Sequence, residues 1–152
     1  MAKKTTARAQ VIGYLRVSTG EQELEKNKAD ILRLANMHDL GRVQFIEERI
    51  SGKVPWRQRK VADVLESLKA NDTLIVSELS RLGRSMLECM EILSIAVQKG
   101  INVYAVKGNW QLDGSIQSKI IAMAFSMAAE IERDLISQRT TEALRYKRAQ
   151  GI

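Results

Sequence analysis

A serine and four arginines stand where predicted strands and loops end: Arg16 and Ser18 close the first strand, Arg57 follows Ser51-Gly52, and Arg81 and Arg84 follow the third strand. A serine hydroxyl is a weak nucleophile and needs a base or a strongly cationic setting to attack phosphorus. Arginine supplies that setting, because it stays charged at physiological pH and its fork matches phosphate oxygens in two-point contacts. A phosphoryl transition state gathers negative charge, so guanidinium groups already in place stabilise it more than the ground state. Taken singly, each arginine reads equally well as a surface ion pair, and Ser18 as a helix N-cap whose S-x-x-E box is completed by Glu21. Thr19 and Gln22 form an equally good box, which leaves the Ser18 hydroxyl free to face the site.

The elements that must position these groups alternate in type. Val11 to Val17 is a short β-branched run entering a Ser-Thr-Gly turn, and predicts a buried strand. From Glu21 to His38 the residues Leu24, Ile31, Leu32 and Ala35 make one helical stripe that Gly41 ends. Val43 to Ile46 predicts a second strand, and Arg49 to Pro55 a loop. Val61, Val64, Leu65 and Leu68 then mark a helix that stops near Asn71. Thr73 to Val76 and Ile101 to Val106 read as strands, on either side of a helix that Ser85 and Glu88 open and Gly100 closes. A short extra strand falls near Trp110, and one helix runs from Ser115 to about Arg148. The fold class expected is α/β, a mainly parallel sheet of four to five strands flanked by helices, with a long C-terminal helix. Ligands of such sheets gather at the carboxyl ends of the strands, where Ser18 and the arginines fall.

With 152 residues the chain suits one folded domain, and 24 Lys and Arg against 18 Asp and Glu leave a charge of +6 that favours a polyanionic partner. Residues 1–10 read as a flexible basic tail with no secretory signal, residues 11–114 as the α/β unit that carries the serine and arginines, and residues 115–152 as a long helix for assembly and polyanion contact. No stretch has the apolar length of a membrane span, so no membrane partner and a cytoplasmic location are expected. Lone Cys89 among Leu87, Met90 and Leu93 reads as a core thiol, and lone His38 as a side chain near the last carbonyls of its helix. Neither predicts a metal site. The long helix divides in two: Ile116, Ile120, Met123, Phe125, Met127 and Ile131 are apolar on more than one face, whereas Arg139, Arg145, Lys147 and Arg148 make its end basic. A partner subunit covering the first half and a core helix within one chain are about equally good accounts. A nucleotide-binding domain is disfavoured, since neither a Walker-type loop nor a G-x-G-x-x-G turn is present.

Gly13-Tyr14-Leu15-Arg16-Val17-Ser18-Thr19 resembles the nucleophile motif of the serine site-specific recombinases of the resolvase and invertase type. Ser51-Gly52 with Arg57 is similar to that family's active-site loop, Arg81-Leu82-Gly83-Arg84 to its arginine motif, and Glu132-Arg133 to a fourth element on the long helix. The resemblance runs from Val11 to Gly151. It implies cleavage of double-stranded DNA without metal or cofactor, by a phosphoseryl bond from Ser18 to the DNA 5′ end, followed by strand exchange and religation. It further implies that Arg16, Arg57, Arg81 and Arg84 bind the scissile phosphate, supported by Gln22, Ser51, Ser80, Glu132 and Arg133. Homodimers that pair as a tetramer, acting at the bacterial nucleoid, are implied as well. The pattern departs from the family at Ser80, where many relatives carry aspartate, and at Asn27, commonly glutamine, so no general base is assigned. Many relatives continue into a DNA-binding domain, so the chain is expected to be a catalytic fragment or to take its site recognition from elsewhere. The alternative function is an inactive DNA-binding regulator on the same scaffold.

Overall fold

The computed structural model describes residues 9–17 and 21–151. Its five-stranded sheet has the order β2-β1-β3-β4-β5. β1 (Val11–Val17) is flanked in parallel by β2 (Gln44–Arg49) and β3 (Thr73–Val76), β4 (Asn102–Ala105) continues in parallel, and β5 (Trp110–Leu112) closes the edge antiparallel. The helices are α1 (Glu21–Met37), α2 (Lys60–Ser67), α3 (Met86–Lys99) and α4 (Ile116–Ala149), with 3-10 turns at Trp56–Gln58 and Leu79–Arg81.

Period-two alternation along the central strands divides the core. Val11, Leu15 and Val17 of β1 pack with Ile75 and Tyr104 against α1, while Ile12 and Tyr14 pack with Leu74, Val76 and Val103 against α2 and α3. Arg16 shares the parity of Ile12 and Tyr14, so it is aimed at the α2 side of the sheet. Gly13 has the opposite parity. A Cβ there would lie 2.9 Å from the Phe45 ring and 3.1 Å from Val43, so glycine makes room for both side chains beside β1.

Several boundaries differ from the sequence expectation. β2 runs on to Arg49, because its pairing with β1 continues to Val17. α2 already ends at Ser67, and a turn with Asn71 at φ 74° leads into β3. In α1 the buried residues are Leu24, Ile31, Leu34 and Ala35, whereas Leu32 is 44% exposed. Leu32 and Leu34 flank the stripe on opposite sides, and the sheet covers only the Leu34 side. His38 packs its ring on Tyr104, with centroids 4.9 Å apart. Cys89 is buried and donates to the Leu79 carbonyl at 3.2 Å, and burial raises its thiol pKa.

α4 has 34 residues and is roughly 50 Å long at 1.5 Å per residue. Ser115 caps it by accepting from the Ser118 N–H at 3.2 Å. Ser118, Ala122 and Ala129 face the body of the domain, with Ser126 hydrogen-bonded to Ser94 of α3. Phe125 also turns inward and stacks on Trp110 at 6.5 Å. Ile116, Ile120, Met123, Met127 and Ile131 are 57–76% exposed on the far side. Beyond Arg133 every described residue of the helix is exposed.

Gly13→Ala should destabilise the domain by about 1–3 kcal/mol, the usual cost of overpacking a core. Urea unfolding of the two proteins checks this, and an unchanged midpoint would mean that Phe45 moves aside freely.

Candidate active site

The carboxyl ends of β1, β2 and β3 meet at a cluster of three guanidinium groups. Arg16 comes from the end of β1, Arg81 from the 3-10 turn after β3, and Arg59 from the residue that opens α2. Arg16 Nη1 donates to the Ile50 carbonyl at 3.1 Å, and its Nε is buried with no hydrogen-bond partner among the described residues. Burial lowers the Arg16 pKa, and the charges of Arg81 and Arg59 lower it further. Gly52 lies over this guanidinium, since a Cβ there would sit 3.5–3.6 Å from it. The site therefore concentrates positive charge where water is scarce, and an anion would relieve it.

Arg59 is only 2% exposed. Its three nitrogens donate to backbone carbonyls: Nε to Val54 at 2.8 Å, Nη2 to Gly52 at 2.9 Å and Nη1 to Arg81 at 3.3 Å. One side chain thus ties the 52–54 loop to the arginine turn. Arg81 is held in turn by acids. Its Nη2 donates to Glu23 of α1 at 2.8 Å, and its Nε lies 3.1 Å from Glu78 without hydrogen-bond alignment. Burial pushes the Glu78 carboxyl up, but hydrogen bonds from Lys107 and Ser80 and the charge of Arg81 outweigh it and leave the carboxyl below its ordinary value. Behind the cluster, buried Glu48 accepts from the Tyr14 hydroxyl at 2.8 Å and from the Lys60 N–H at 2.9 and 3.0 Å, an anion at the first turn of α2. The Tyr14 pKa is raised by burial and then by Glu48.

The other expected residues lie around this cluster in different ways. Arg84 is half exposed, with its Nε 3.2 Å from Glu88. Arg57 is turned outward and stacks on Trp56, 4.5 Å from the ring centroid. Arg133 reaches Glu91 at 3.3 Å on the groove between α3 and α4, and Glu132 and Gln22 are exposed. Ser51 shapes its own loop by accepting from the Lys53 N–H at 3.2 Å. Ser18, with Thr19, lies outside the described residues, and so does the choice between their two capping boxes. Arg139, Arg145, Lys147 and Arg148 are all exposed on the end of α4.

Guanidiniums clustered at the strand ends of a sheet with this order have a counterpart among known proteins. The family described as resolvase, N-terminal domain, matches residues 11–152. The chain belongs to the resolvase family. Its relatives include a resolvase of Clostridium perfringens, 31% identical over 93% of this chain and 73% of the relative. A DNA-invertase of Salmonella typhimurium is 33% identical over 92% of this chain and 70% of the relative. Among solved structures, a resolvase family site-specific recombinase from Streptococcus pneumoniae has TM-score 0.63 and 25% identity, over 93% of this chain and 99% of that one. The N-terminal catalytic domain of TP901-1 integrase, at 22% identity, TM-score 0.60 and coverage of 83% and 98%, shares the fold. The chain is accordingly a site-specific recombinase catalytic domain, an enzyme that cuts and rejoins DNA. No described helix is long and apolar enough to cross a membrane.

Within this resolvase fold, sequence reasoning missed Arg59, Glu48, Glu78, Glu23 and Glu88. Arg59 carries one usable signal. An arginine directly before an apolar helical run occupies the N-cap, where its charge opposes the macrodipole, so it must answer to some other demand. The acids carry none for the site: Glu88 is legible only as the capping-box partner of Ser85, and the others are ordinary polar residues until the fold supplies their partners.

Arg59→Met should lower stability by about 2–4 kcal/mol, since three hydrogen bonds from a charged donor are lost and the carbonyls are only partly rehydrated. It should also speed amide exchange across residues 52–54, and lysine should rescue poorly because it cannot span three carbonyls. Exchange at the wild-type rate in Arg59→Met would refute the role of this side chain as the tie.

Proposed function

We propose that Ser18 is the nucleophile of this recombinase domain. Its Oγ attacks a DNA phosphodiester, the bond from phosphorus to the 3′ oxygen breaks, and a phosphoseryl bond to the 5′ end and a free 3′ hydroxyl result. Religation reverses the step on a new partner strand. The observation that carries this reading is the convergence of Arg16, Arg59 and Arg81 at the carboxyl end of β1, one residue before Ser18 in the chain. On this reading Arg16 and Arg81 contact the phosphate oxygens and Arg59 adds charge from behind. Arg84 approaches from the α3 side. Arg57 and Arg133, which here face Trp56 and Glu91, join when DNA draws them in, and Gln22, Ser51, Ser80 and Glu132 support the loops that carry the arginines.

The exposed stripe Ile116, Ile120, Met123, Met127 and Ile131 supports assembly through α4, because so many large apolar side chains on one face of a small domain favour cover by a second subunit. Two such dimers would pair as the synaptic tetramer, at the nucleoid of a bacterial cytoplasm. Phe125 is excluded from that surface by its stacking on Trp110. The end of α4, where Arg139, Arg145, Lys147 and Arg148 face only Glu142 among acids, lies along the DNA backbone.

Ser18→Ala should abolish the covalent protein–DNA adduct while folding and DNA affinity stay near wild type, and a chelator should change neither. Adduct that survives Ser18→Ala would end this assignment. Met127→Glu should shift the protein toward monomer in sedimentation, and truncation after Ile136 should weaken binding to all sequences and flatten its salt dependence while leaving the oligomer intact. A truncated protein with wild-type affinity and salt slope would make the basic end a solvated helix terminus.

A further inference from the structure

Glu88 is the third residue of α3, where a capping box would return its carboxylate to the N–H of Ser85. Only half of that box forms: Ser85 Oγ accepts from the Glu88 N–H at 3.2 Å. Glu88 Oε1 accepts instead from the Arg84 N–H at 2.9 Å and from the Trp56 N–H at 3.2 Å. Oε2 lies 3.2 Å from Arg84 Nε. A carboxylate that is 8% exposed therefore clasps two segments far apart in the chain, the loop after β2 and the arginine turn after β3. Gly83 makes room for it, since a Cβ there would fall 2.6 Å from Glu88 Cβ.

The same loop residue is gripped again one turn further along. The Trp56 indole N–H donates to Glu91 Oε2 at 3.4 Å, and Glu91 Oε1 pairs with Arg133. Burying a carboxylate costs desolvation, and Ser85 already caps the helix, so helix capping alone does not require Glu88. What the carboxylate adds is direction. It holds Arg84 by Nε, while the two terminal nitrogens of that guanidinium make no hydrogen bond among the described residues and remain open to an incoming oxyanion.

We propose that Glu88 is a positioning residue for strand cleavage, its charge orienting the Arg84 guanidinium and its Oε1 fastening the Trp56 backbone so that loop and arginine turn move together. The first half rests on the reading of Arg84 as a phosphate contact, and the second on geometry alone. Glu88→Gln keeps an oxygen for both N–H groups and loses the charge. It should leave amide exchange at Trp56 unchanged and DNA affinity within about twofold, while slowing single-turnover cleavage about tenfold. In an Arg84→Lys background the same substitution should cost nothing further, because the two residues act as one unit. Glu88→Ala should in addition accelerate Trp56 exchange about tenfold or more, as its backbone acceptor is lost. Cleavage by Glu88→Gln at the wild-type rate, or a full additional loss in the Arg84→Lys background, overturns the orienting role. Wild-type exchange at Trp56 in Glu88→Ala overturns the fastening. A wild-type domain that forms no adduct counts against the Ser18 chemistry, and the exchange measurement still decides the fastening.

Discussion

A guanidinium removed from water must find its acceptors within the protein, and at Arg59 that requirement organises the carboxyl edge of the sheet. The loop after β2 has no strand or helix of its own from Ile50 to Pro55, and its carbonyls at Gly52 and Val54 would otherwise turn to solvent. Arg59 draws both inward, together with the carbonyl of Arg81. The distance between the β2 and β3 loops is then set by one rigid planar group. Arg16, which reaches Ile50 at the start of the same loop, inherits its place from this arrangement.

Charge balance follows from the same packing. Three guanidiniums close together repel one another, and the Arg16 pKa is lowered first by burial and then by this repulsion. Glu23 and Glu78 compensate at Arg81, while Glu88 and Glu91 take Arg84 and Arg133. Arg16 has no carboxylate of this kind among the described residues. The arginines are thus graded, from Arg81 held by two acids to Arg16 held by a carbonyl. On the proposed reading, a phosphate entering the cluster would meet the least compensated charge at the end of β1.

How much of this was legible in the sequence depends on the range of the forces involved. Local ones were readable: the β-branched run of Thr73–Val76 forms the strand expected, and Ser85 caps α3 as its spacing with Glu88 implied. Edges set by pairing were less so, as at β2, whose length depends on the β1 residues opposite it. In the site, Arg16 and Arg81 were legible because strand ends are. Arg57 and Arg59, in one 3-10 turn and its cap, face opposite ways according to where Trp56 is buried. Apart from the place of Arg59 directly before the apolar run of α2, nothing in a one-dimensional pattern reports that a buried indole will send its neighbour outward and the next arginine in.

The last helix carries a mechanical consequence. α4 is anchored on α3 through Ser118, Ala122, Ser126 and Ala129, and beyond Arg133 it projects without support. At 1.5 Å per residue the overhang is roughly 25 Å, so a tilt of about 10° at its root sweeps the tip by about 4 Å, most of the rise of one helical turn. The anchor against α3 is mostly small residues, Ala and Ser, which permit close approach, and Phe125 stacked on Trp110 is its bulky contact. It behaves as a cantilever: whatever grips the tip has leverage over the Arg133 and Glu91 contact at its root, and through Trp56 over the loop that Arg59 ties down.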